Sequence, residues 1–124
     1  MPTMIYDIHN TLSQTIWLFF LIAGLWGIVR AMRQEGVDGS YFGVLAIGEL
    51  LFVMQAILGI ILYTQGGSPS RSGIHILYGI FNIVLLPFVY GYTKGDDSNV
   101  AQWMYAFSLL FLFGTSLRAI QTGV

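Results

Sequence analysis

The chain has 124 residues, 56% hydrophobic and 9% charged, with a formal net charge of −1 and no cysteine. A soluble domain carries about 25% charged residues, so this chain cannot cover a water-facing surface, and its near-neutral charge offers nothing to nucleic acid or to a polybasic lipid site. The lack of cysteine excludes disulfides, thiolate chemistry, iron–sulfur clusters and covalently attached c-type haem.

The first ten residues, MPTMIYDIHN, have no basic stretch ahead of the apolar run, so they do not read as a cleaved signal peptide. Four apolar segments follow, at about 12–31, 42–63, 74–92 and 100–120. Each is close to the ~20 residues that a helix needs to cross a ~30 Å hydrocarbon core. The runs are continuous rather than alternating, which favours helices over barrel strands. Three short connections, over 30–40, 64–73 and 93–99, make sequential helices antiparallel neighbours. The expected fold is therefore all-α, a single integral membrane domain built as an up-down-up-down four-helix bundle.

Arg30, Arg33 and Lys94 lie in the first and third connections, against Arg71 and Arg118 on the other side. Three against two favours both termini on the outer face of a plasma or inner membrane. With four spans, His9, Arg71, His75 and Arg118 all share that face. The surroundings expected are lipid bilayer and other membrane subunits, with no nucleic acid.

His9 and His75 are the only histidines. They stand at the heads of helices one and three, which are diagonal in such a bundle, so their rings can meet across the core as axial ligands of a haem iron. Arg71 and Arg118 are candidates to hold haem propionates. Gly79 and Gly114, one turn deeper than His75 and Arg118, would let a flat ring approach the backbone. The alternative is that the histidines hydrogen-bond headgroups or water and the arginines snorkel.

Glu49, about two turns inside helix two, is costly there unless protonated, paired or near water. It is a candidate to relay a proton or bind quinone, with Gln55 on the same helix; the plainer reading is a bond across helices. Asn82 and Gln102 are further polar candidates. Gly24 and Gly27 mark a close helix approach, Pro87 a bend in helix three, and Trp17 packing against a partner or a partner's pigment. No nucleophile–base pair, phosphate loop or paired-cysteine motif is present, so no hydrolase or kinase is expected.

His9-Asn10-Thr11-Leu12, the basic exit Val29-Arg30-Ala31-Met32, the run Gln55-Ala56-Ile57-Leu58-Gly59-Ile60-Ile61-Leu62-Tyr63 and then His75 after a short loop resemble small bacterial four-helix cytochrome-b-like membrane proteins. The resemblance spans about three-quarters of the chain. It implies a four-helix membrane fold with b-type haem or a quinone-linked role in electron transport. The chain departs from that pattern at Ser13, where a basic residue is expected, at Ile76, where a proline is, and in having no further histidine in helix three. The other expectation is a cofactor-free accessory subunit of a respiratory or photosynthetic complex.

Overall fold

The computed structural model describes residues 2–64 and 72–123. Four helices account for almost all of them: α1 (Pro2–Met32), α2 (Gly39–Thr64), α3 (Ser72–Thr93) and α4 (Asn99–Gly123). No strand occurs among the described residues. All four helices are long and apolar enough to cross a membrane, and each satisfies its backbone polar groups internally, as hydrocarbon requires. The protein is an all-α integral membrane bundle.

α1 starts at Pro2 rather than near residue 12, so His9 sits two turns inside the helix instead of at its head. Residues 9–15 interrupt the apolar run yet remain helical. Their hydroxyls fold back on the helix: Ser13 Oγ donates to the His9 carbonyl at 2.9 Å and Thr15 Oγ1 to that of Thr11 at 3.2 Å. α3 continues through Pro87 without a break in its helical assignment.

Each helix packs on the next in sequence and α4 closes the ring on α1, while the diagonal backbones stay apart. The tightest seam is α1 on α4, and small residues make it possible. A Cβ at Gly24 would lie 2.6 Å from Leu110 Cδ2, and one at Gly27 would lie 3.0 Å from Ala106 Cβ of α4 and fall on the hydroxyl of Tyr41, from α2. Gly48 of α2 similarly admits the Phe20 ring, whose Cζ would lie 2.8 Å from an added Cβ, and Phe20 stacks on Phe52 at 4.7 Å. Ile16, Leu86, Tyr105, Leu109 and Leu112 lie in the same core. Trp17 packs within the chain, 6.1 Å from the Phe113 ring, and donates to Gln14 Oε1 at 2.9 Å. Deep in the bundle the buried Thr115 hydroxyl bonds to Asn82 Oδ1 at 2.7 Å, tying α4 to α3.

The first and third loops are stitched to each other. The Val37 amide donates to the Asp97 carbonyl at 2.9 Å, and the Asn99 side-chain amide donates to the carbonyls of Ala31 (3.0 Å) and Glu35 (2.9 Å). These bonds hold the chain leaving α1 against the turn that opens α4. Arg30 anchors the same corner, pairing with Glu35 at 3.2 Å and Asp38 at 3.4 Å and donating to the Gly36 carbonyl at 2.6 Å and Gln102 Oε1 at 3.3 Å. Asp38 Oδ1 caps α2 by accepting the Tyr41 amide at 2.8 Å. With both loops on one face, α1 and α3 run one way and α2 and α4 the other.

Candidate functional site

α1 and α3 are parallel and diagonal, and both begin at the face opposite the stitched loops. Their two imidazoles bridge the gap that the backbones leave: the His9 and His75 ring centroids are 6.4 Å apart, with planes at 66°. His75 Nδ1 lies 2.9 Å from the Ala119 carbonyl of α4. A carbonyl only accepts, so Nδ1 carries the proton and, in the neutral ring, Nε2 keeps its lone pair.

His9 is held from the other side. Its backbone carbonyl accepts from Ser13 Oγ and, at 2.8 Å, from Gln55 Nε2 of α2, and the Gln55 amide also reaches Ser13 Oγ at 2.6 Å. One turn beyond Gln55, the absent side chain of Gly59 leaves room for the ring, since a Cβ there would be 3.4 Å from His9 Cε1. The histidine pair is thus flanked by an absent side chain at Gly59 of α2 and by the Ala119 carbonyl of α4.

Three buried polar atoms at this end have no hydrogen-bond partner among the described residues: His9 Nδ1, Gln55 Oε1 and Ser116 Oγ. Each such atom costs about 1–3 kcal/mol if left unmatched. All three belong to the end of the bundle at which the two histidines stand.

The remaining predicted residues are distributed differently. Arg118 is exposed, donates to Gln121 Oε1 at 2.8 Å, and lines a groove on the outer α3–α4 surface with Gly114. A Cβ at Gly79 or Gly114 would meet nothing within 4 Å, so both are open positions. Arg71 lies outside the described residues. Glu49 is half-buried, with Oε1 buried and without a hydrogen-bond partner among the described residues. Six residues of α2, about 9 Å, separate it from Gln55. Asn82 takes its bond from Thr115, and Gln102 belongs to the Arg30 corner, where its amide also reaches the Gly27 carbonyl at 3.4 Å.

No family model, curated protein or solved structure matches this chain. The site therefore has to be read from its own chemistry. Among the described residues no three His, Cys, Asp or Glu side chains gather as a metal site. A bare zinc ion takes three or four protein ligands, so a metal held by this pair would have to bring its own equatorial donors. Ser13 was legible as a neighbour of His9 four residues on, once α1 is known to start early. Ser116 and Ala119 carry no charge or motif that would have drawn them out.

Proposed function

We propose that the protein is a membrane-embedded electron-transfer protein or subunit in which His9 and His75 are the two axial ligands of a b-type haem. The convergence of the imidazoles carries this reading. A nitrogen ligand sits about 2 Å from a first-row metal, so two rings on a common axis through it have centroids roughly 6 Å apart, against 6.4 Å between His9 and His75. The group, when bound, supplies one-electron exchange, and the porphyrin supplies the equatorial donors that the chain lacks.

The chain's own residues orient the ligands. The bond from His75 Nδ1 to the Ala119 carbonyl fixes the tautomer that offers Nε2, the pattern common to metal-ligating histidines. Gln55 and Ser13 clamp the turn of α1 that bears His9. The absent side chain of Gly59 beside His9 suits the approach of a flat group. Arg118, turned to the outer groove, is not assigned to propionates. By the Lys and Arg count, the stitched loops face the cytoplasm and both termini the outside.

Pyridine haemochrome spectroscopy of the purified protein tests the proposal. One b-type haem per chain is expected, with His9→Ala and His75→Ala each abolishing the low-spin spectrum. A colourless protein from haem-replete cells, or an unchanged spectrum in both variants, refutes it.

A second reading is an accessory subunit docked in a larger membrane complex. It is favoured by Asp7, Thr11 and Thr15, which line a shallow groove on the exposed flank of α1. Polar side chains on such a flank suit a protein neighbour better than acyl chains. Recovery from mild detergent as a single small species would stand against it.

A further inference from the structure

The groove between the outer faces of α3 and α4 has a volume of about 390 Å³ and is lined by Tyr78, Leu110, Phe111, Gly114, Thr115 and Arg118. Gly114 keeps this surface hollow, since a Cβ there would meet nothing within 4 Å. Phe111, in edge contact with Phe81 at 5.6 Å, lies at its deep end. Phe111 is seven residues, about 10 Å, below Arg118, so the hollow runs along the helices from the membrane interface into the hydrocarbon.

Its chemistry is graded along that line. The deep part is apolar. The shallow end carries an exposed cation, Arg118, whose hydrogen bond is to the neutral Gln121 side chain. The ion pairs among the described residues all belong to Arg30, at the opposite face. An exposed guanidinium presents several donors in a fork that matches phosphate oxygens. In a bilayer the hollow is surrounded by acyl chains, and the ligand that complements an apolar trough with a positive mouth is an amphiphile with a negative head.

We infer that this groove is a fixed site for one anionic phospholipid, an acyl chain lying over Gly114 against Leu110 and Phe111 and the headgroup phosphate held by Arg118. The site is independent of the histidine pair. It gives Arg118 and Gly114 a task on the outside of the bundle.

The test uses the full chain, reconstituted in vesicles containing equal parts of phosphatidylglycerol and phosphatidylcholine and extracted in mild detergent. Lipid retained per chain is counted by mass spectrometry. Wild type is expected to keep about one phosphatidylglycerol, preferred over phosphatidylcholine by about fivefold, the effect of roughly one basic residue near an anionic head. Arg118→Gln should abolish the preference, and Gly114→Leu, which fills the trough, should abolish retention, both with unchanged circular dichroism. Absence of retained lipid, equal retention of the two headgroups, retention of a neutral lipid or quinone instead, or wild-type behaviour of Arg118→Gln would each overturn the inference. Haem content is read separately, so failure here leaves the ligand assignment untouched, and the reverse holds too.

Discussion

Gly27→Ala adds one methyl group where Tyr41 of α2 and Ala106 of α4 both close on α1. That carbon would fall on the Tyr41 hydroxyl and lie 3.0 Å from both Tyr41 Cζ and Ala106 Cβ. Carbon atoms rest about 3.5–4.0 Å apart, so something must move by half an ångström or more. Neither neighbour yields readily, because Tyr41 and Ala106 are both fully buried, at 0% exposure. Overpacking of this kind costs about 1–3 kcal/mol, and the overlap with the hydroxyl puts it in the upper half of that range. Exchanging glycine for alanine in a helix returns roughly 1 kcal/mol. A net loss of about 1–2 kcal/mol is expected, measured by reversible unfolding in mixed micelles of mild and denaturing detergent. Tyr41→Phe alone removes the 3.3 Å bond to the Ala23 carbonyl and should cost about 0.5–1 kcal/mol. In the Gly27→Ala background the same change removes the clashing oxygen, so it should restore about 1 kcal/mol instead. Gly43→Ala, where an added Cβ meets nothing within 4 Å, serves as the control and should not destabilise. Wild-type stability in Gly27→Ala, or a cycle additive to within about 0.5 kcal/mol, would refute the packing argument.

Thr115→Val keeps the shape of the side chain but removes the donor to Asn82, and should cost about 0.6–1.7 kcal/mol, the range for interhelical bonds inside a membrane; an unaltered unfolding curve would count against that bond. Asn99→Ala removes two bonds to the chain leaving α1, at the Glu35 carbonyl and at the Ala31 carbonyl, which keeps the Gln34 amide, and should cost about 1 kcal/mol, with faster hydrogen exchange at the Val37 amide; unchanged exchange there would show the stitching to be unimportant. Asp96 accepts from the Ser98 hydroxyl at 2.7 Å and the Ser98 amide at 3.1 Å, and these bonds hold its carboxyl below the usual carboxylate range. A depressed value means the contribution is present above the unfolded value of about 4 and is lost as pH falls through the lower folded one. Exchange at the Ser98 amide should therefore quicken only below about pH 4, and Asp96→Asn should flatten the response; a wild-type profile as flat as the variant's would contradict the assignment.

Much of the architecture was legible because hydrocarbon leaves the chain few choices. Four continuous apolar runs with short connections have one simple arrangement, and the parity of the spans alone brings His9 and His75 to the same face. Gly24 and Gly27 were readable as a close approach for the same reason. The start of α1 was not, because residues 9–15 look polar in sequence and become compatible with a helix only when Ser13 and Thr15 bond to their own backbone. Rotation about each helix axis was also hidden. A helix apolar on every side carries no stripe to say which flank faces inward, so Arg118 could be assigned to an end of the bundle but not to its outer surface. The Arg30 corner depends on two loops meeting, and nothing in either loop alone signals it.

The strongest seam joins the first helix to the last, while α2 and α3 touch least. A chain made from its N-terminus onward therefore releases into the bilayer a helix whose best companion has yet to be synthesised. Tyr41 of α2 can reach Gly27 early, but the Leu110 contact at Gly24 waits for α4.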